Sequence, residues 1–336
     1  MRNLILLTAV FLTSSFGAFA QKVFTSMEAA LKSPNEVTIL DLSGQGLTSI
    51  AQEVSNLTNL EVIYLQNNKL SSLPEALYSI TNLTMLYADG NNITTIPQKI
   101  SDLKKLKVLS LGSNHLTEFP KAVTELDKLE YLNLAANLIP NVDSKINNLN
   151  NLIELDLSFN KITALPAQLG KLPSLEILCI SGNKISTVQS IAGLSKLAIL
   201  YMDECPVKKI EPAVLSLTSL KRLSMSKCGI TTIPKGISQL KNLTHLLLSE
   251  NRIAVMPNEL FSLSKLLDLN LSSNDISEVP GEISNLTNLR NLNFCYNHIA
   301  EFPVAIGKMP SLKTIGVTNT GFQMLNLDAN SHKISY

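Results

Sequence analysis

One register repeats along most of this chain, and it dictates what the chain folds into. The segment Leu60-Glu-Val-Ile63-Tyr-Leu65-Gln-Asn-Asn68-Lys-Leu70 returns 23 residues later as Leu83-Thr-Met-Leu86-Tyr-Ala88-Asp-Gly-Asn91-Asn-Ile93. It returns again from Leu106, Leu129 and Leu152, and near the end of the chain from Leu266, Leu289 and Leu312. The ninth position of the pattern is Asn68, Asn91, Asn114, Asn137, Asn160 and Asn183, then Cys205 and Cys228, then Asn251, Asn274 and Asn297. Gln45 opens this series and Thr320 ends it. A chain built this way has no single compact centre. Each repeat buries its apolar face only by stacking on its neighbours.

Alternation gives the local structure. In each L-x-L the two Leu point inward and the residue between them points out, as along any strand. Stacked repeats then form a parallel sheet with a spacing of about 4.8 Å. The Asn at position nine turns inward where the chain leaves the strand, and its amide is expected to satisfy buried backbone groups of the turn. The other half of each repeat reads x-x-L-P-x-x-I-x-x-L, as in Leu73-Pro74 to Ile80 and Ile233-Pro234 to Leu240. Proline there fixes a bend across the outer side.

This pattern is identified as that of the leucine-rich repeat family. The Leu-Pro dipeptide and the period resemble the repeats of Ras-pathway scaffold proteins and plant Ras-group proteins. With an export signal and a capping helix, the chain resembles secreted bacterial leucine-rich repeat proteins. The resemblance covers roughly residues 22 to 325. It implies an α/β solenoid, a curved horseshoe with a parallel sheet on the concave face and irregular or 3-10 turns on the convex face. It also implies a binding scaffold and carries over no catalytic residues.

The ends are read separately. Arg2, the apolar run Leu4 to Leu12 and Ala18-Phe19-Ala20 fit a signal peptide over residues 1–20, cleaved before Gln21. That predicts export to the periplasm, the cell surface or the medium, with no membrane insertion after cleavage. Residues 21–36 are expected to form a capping helix, with Thr25 as N-cap and Glu28 completing a capping box. Thirteen repeats, the last partial, occupy 37–325, and 326–336 reads as a polar tail.

Twenty-eight Lys and Arg face 27 Asp and Glu, and losing Arg2 makes the chain neutral. With no basic run, nucleic-acid binding is excluded. None of G-x-S-x-G, H-E-x-x-H, C-x-x-C or a phosphate-binding loop occurs. No enzyme activity, metal or cofactor is expected, and Glu154 with Asp156 reads as a pair of solvated carboxylates. The spacing from Asn183 to Cys205 is one residue short, and the Leu-Pro element is replaced there by Val188-Gln189. Stacked Cys205 and Cys228 lie within disulfide reach, but the pattern also accepts Cys as a buried thiol, which is the simpler reading. Cys179 and Cys295 are expected to be exposed.

Equivalent strand positions stack into rows along the concave face. The row between the inner Leu runs Asp41, Tyr64, Tyr87, Ser110, Asn133, Asp156, Cys179, Tyr201 and onward. The row two residues earlier is apolar through repeat eight, apart from Glu154, and polar thereafter. Val62, Tyr64, Met85, Tyr87, Val108 and Tyr131 are thus expected to form a solvent-facing patch, with Ile177, Ile199 and Tyr201 as a smaller second one. Apolar patches containing Tyr mark binding surfaces. The patch predicts a protein partner of unspecified identity. Two alternatives stand beside it: a glycan or cell-wall polymer on the polar rows, and self-association through the last coil near Leu325.

Overall fold

The structure is a computed structural model that describes residues 22–318, 320 and 333–335. The expected signal segment and the coil at Leu325 lie outside the described residues. Fifteen strands form one parallel sheet in strict chain order, each pairing only with the strand before and the strand after it. Thirteen of them, from Ile39–Asp41 to Thr314–Gly316, are the strands of the thirteen repeats. Each is three residues long, with the middle Leu or Ile fully buried. Most repeats return through a five-residue 3-10 turn that opens directly after the proline, as Glu75–Ser79 does after Pro74. Proline at that point has no backbone N–H to leave unpaired.

Two strands were not foreseen. Val23–Phe24 pairs in parallel with the first repeat strand and buries Phe24 in the core. Lys333–Ser335, read from sequence as part of a polar tail, pairs with Thr314–Gly316. Both are too short for a two-residue side-chain period to be visible in sequence. The capping helix is present as Met27–Lys32, but its N-cap is Ser26, whose hydroxyl accepts from the Ala29 N–H. Thr25 sits one residue too early because Val23–Phe24 is extended and delays the helix start.

The core is one continuous file of apolar, mainly aliphatic side chains from Phe24 to Ile315. What holds successive coils in register is the asparagine ladder. The Asn160 Nδ2 donates to Leu134 O of the preceding coil (2.9 Å) and to Leu157 O (3.0 Å) and Ser158 O (3.3 Å) of its own. Its Oδ1 accepts from the Ile139 N–H at 3.0 Å. The same set recurs at Asn68, Asn91, Asn114 and Asn137 and, beyond the cysteines, at Asn251, Asn274 and Asn297. Just before the ladder Asn, the chain takes a positive φ, even at Ala136, Phe159 and Glu250. Left-handed backbone costs about 1 kcal/mol or more for a residue with a Cβ, and the amide bonds offset it.

Cys205 and Cys228 are free thiols in the same two rungs. Each donates to a carbonyl of the preceding coil, Cys205 to Ile180 O at 3.3 Å and Cys228 to Met202 O at 3.1 Å. A thiol has only one donor, so these rungs carry fewer bonds than their neighbours. The short repeat between Asn183 and Cys205 is completed by a residue of the next one. Glu211 is buried, and its Oε2 accepts from Val188 N (2.9 Å), Thr187 Oγ1 (3.0 Å) and Gln189 Nε2 (3.2 Å). It thereby caps the turn that lost its Leu-Pro.

Replacing Asn160 by Ala takes one donor from each of three carbonyls, which keep Asn137 Nδ2, Asn183 Nδ2 and Ala136 N, and leaves the Ile139 N–H without its acceptor. The expected loss is about 2–3 kcal/mol, read as a lower urea midpoint. Asn160→Asp, which lacks the donors, is expected to lose a comparable amount. A change below about 0.5 kcal/mol in both would show that the ladder does not hold the coils.

Candidate functional site on the concave face

The strand register brings the predicted residues together as rows. Ile39, Val62, Met85, Val108, Tyr131, Glu154, Ile177 and Ile199 are successive partners, as are Asp41, Tyr64, Tyr87, Ser110, Asn133, Asp156, Cys179 and Tyr201. Val62, Met85 and Val108 pack into a cluster separate from the main core, with Ile39, Tyr64, Tyr87 and Tyr131 against it. The three were expected to face solvent and do not: each is more than nine-tenths buried. Side chains on adjacent parallel strands stand close enough for the long tyrosines to roof over shorter neighbours. What the face offers to solvent is therefore the tyrosines themselves. The Tyr64 and Tyr87 rings stack with centroids 5.1 Å apart and an 11° angle between planes. Such a pair contributes about 0.5–1.5 kcal/mol beyond its buried area. Burial raises both phenols, with Asp41 adding to the effect at Tyr64, and pushes Tyr87 up to about 12.

The strand Glu154–Asp156 separates this cluster from Ile177, Ile199 and Tyr201, so the two predicted patches do not merge. Glu154 and Asp156 are not solvated as expected. Burial, reinforced by Asp156, raises the Glu154 carboxyl to about 7. Its Oε2 is buried and meets no donor. Asp156 is also raised by burial, although the Ser158 N–H donates to it at 2.9 Å. Cys179, expected to be exposed, is buried beside these groups, and burial raises its thiol well above the ordinary range. Cys295 is half-buried. A row of short strands leaves little room around a small side chain flanked by larger ones.

A third row was missed. Two residues beyond Tyr87, Asp89 Oδ1 accepts from Ser110 Oγ (2.6 Å), Gly112 N (2.9 Å) and Asn133 Nδ2 (3.1 Å). A Cβ on Gly112 would stand 2.9 Å from both Asp89 Oδ1 and Asn133 Nδ2, so a larger residue there would make these side chains shift. Asp203 repeats the arrangement with Ser224 Oγ (2.5 Å) and Ser226 N (2.7 Å). The signal in sequence was an Asp followed 23 residues later by a Gly or Ser. Gln66, in the same row, has a buried Oε1 with no donor. Among the described residues no group of His, Cys, Asp and Glu is placed to hold a metal ion, and no helix is long and apolar enough to cross a membrane.

A parallel sheet in chain order, backed by an asparagine ladder and 3-10 turns, with its decorated face open, is the architecture of a leucine-rich repeat scaffold. Leucine-rich repeat family profiles match residues 35–93 and 89–139 ("Leucine rich repeat"), 150–193 ("Leucine Rich repeats (2 copies)") and 212–317 ("Leucine-rich repeat region"). The chain belongs to the leucine-rich repeat proteins. Among solved structures it is similar to the Leptospira interrogans leucine-rich repeat protein LIC12759, with 26% identity and a TM-score of 0.78, covering 94% of this chain and 100% of that one. A TDR receptor is 29% identical with a TM-score of 0.76, over 90% of this chain and 55% of the receptor. The plant peptide hormone receptor RGFR1, in complex with RGF2, shares the fold at 23% identity and a TM-score of 0.53, over 88% of this chain and 58% of that one. No curated protein matches the chain.

Glu154 sets a pH dependence. Its carboxyl is raised in the folded chain, so between about 4.5 and about 7 the folded state binds more protons than the unfolded one. Stability from this group is present below that window and falls as pH rises through it, by about 2 kcal/mol once partial solvation is allowed for. Asp89 and Asp156 shift in the same direction. Urea midpoints at pH 5 and pH 8 should differ in wild type and converge in Glu154→Gln. An unchanged pH difference in the variant would remove Glu154 as its source.

Proposed function

We propose that this chain is an exported, non-enzymatic scaffold that holds a protein partner on the N-terminal half of its concave face. The observation that carries this reading is the Tyr64–Tyr87 stack seated on the buried Val62, Met85 and Val108. Rings fixed by packing lose little conformational freedom on binding, and Tyr is enriched at the centres of protein interfaces. Each such ring is expected to contribute about 2 kcal/mol to a complex. The fold is one on which RGFR1 is seen with RGF2, and repeats of this family typically mediate protein–protein interaction. Export rests on residues 1–20, and the absence of catalytic motifs supports a binding role.

Photocross-linking tests the reading. Tyr131→p-benzoylphenylalanine places an aromatic cross-linker at the rim of the cluster, and Val255→p-benzoylphenylalanine places one at a site 72% exposed and outside both rows. In extracts of the native source, the first is expected to capture a discrete protein and the second is not. Adding Tyr64→Ala and Tyr87→Ala should abolish the capture. Equal capture from both positions, or capture that survives loss of the tyrosines, would refute docking at this face.

A further inference from the structure

The tyrosine face is surrounded by charge of one sign. On the two strand rows and the row two residues beyond, repeats one to eight carry Asp41, Asp89, Glu154, Asp156 and Asp203 and no Lys or Arg. Just ahead of their strands stand Glu61 and Glu176, and Glu130 is paired with the one cation there, Lys107, at 2.9 Å. The sign changes at repeat nine. Lys221 and Arg222 enter together, Arg290 and Lys313 follow ahead of the last two strands, and Asp268 is the one carboxylate among them. The formal net charge of the whole chain is only +1, so this division is a property of the face and not of the composition.

The acidic half is also short of donors. Glu154 Oε2 and Gln66 Oε1 are both acceptors, both buried and both unmatched. Burying an acceptor without a donor costs about 1–3 kcal/mol. Desolvated carboxylates with no cation nearby carry a further penalty, which an incoming positive charge relieves. Stacked tyrosines beside carboxylates add a second attraction, because the ring face is the negative pole of its quadrupole.

We propose that the concave face of repeats two to seven takes a cationic segment of a protein partner, in which Lys or Arg side chains alternate with apolar ones. This rests on the docking reading above and names the chemistry of the partner. The apolar side chains would cover Tyr64, Tyr87 and Tyr131. The guanidinium or ammonium groups would lie over the ring faces and reach Glu61, Asp89, Glu154 and Glu176. The basic repeats from nine onward repel such a segment and keep it to the N-terminal half.

The chain contains no Trp, so Phe159→Trp gives a single tryptophan that can be excited apart from the tyrosines. Phe159 is 45% exposed at the edge of repeat six, within the acidic half and outside the tyrosine cluster. The probes are three synthetic peptides of about twelve residues, long enough to cross several strands spaced by ~4.8 Å. In them Val alternates with Arg, with Gln or with Glu. The Arg peptide is expected to bind about tenfold tighter than the Gln peptide, with the Glu peptide weakest, and the gap should close at high salt. Glu61→Lys with Glu176→Lys, both outside the buried networks, should remove the preference while circular dichroism stays unchanged. Tyr64→Ala with Tyr87→Ala should weaken all three.

Equal binding of the Arg and Gln peptides, lost together in the tyrosine variant, would overturn the cationic partner and leave docking at the face intact. Tighter binding of the Glu peptide would also overturn it. No binding by any peptide, or binding indifferent to both variants, would overturn the cationic segment and the docking reading together.

Discussion

The side-chain amide of asparagine, turned inward at the end of each strand, is the interaction on which this molecule depends. Every coil leaves its strand through a turn whose carbonyls and N–H groups face the interior, where no water reaches them. One Nδ2 group bridges carbonyls of two successive coils, and the Oδ1 accepts an N–H from the coil before. The bond network therefore joins neighbours and nothing else, and the sheet inherits its strict chain order from that. The leucines supply the burial, but they are interchangeable among aliphatic residues, as Ile63 and Ile315 show. The amide is not interchangeable. Where Cys205 and Cys228 replace it, one thiol donor does the work of two amide protons, and the same region needs a buried glutamate to finish the adjoining turn.

That division of labour decides what was legible in the sequence. The ladder and the L-x-L strands were readable because their physics imposes an identical residue at a fixed spacing. Val23–Phe24 and Lys333–Ser335 carry no such spacing; they are strands only because the sheet offers them an unpaired edge. Ser26 displaced Thr25 as helix cap for a related reason, since the strand before it set where the helix begins.

The site was half legible. Register alone placed Tyr64 beside Tyr87 and Val62 beside Met85, because stacking makes neighbours of residues 23 apart in sequence. Burial was not legible. Whether Val62 faces solvent depends on the size of the side chains around it, and two tyrosines were enough to cover it. The same applies to Glu154 and Cys179, where alternation gave the direction of the side chain and crowding removed its water. The Asp89 network runs along the row beyond the two central ones, where polar residues one repeat apart, Asp89 and Gly112, carry no apolar signal.

A solenoid of this kind separates stability from function in space, which makes the electrostatics of its face meaningful. In a compact domain, a buried carboxylate often answers to a structural partner somewhere in the core. Here Glu211 does so on the turn side, with three donors converging on one oxygen. Glu154 does not: it lies outside the core file, its Oε2 meets no donor, and no cation shares its rows through repeat eight. The ladder and the leucines beneath would hold the coils equally well with Asn or Thr at that position, residues the later repeats use at Asn291 and Thr314. Removing the carboxylate would lose no interaction that the fold relies on. A charge kept where the fold does not need it, at a cost to the free chain, is what the proposed cationic partner would account for.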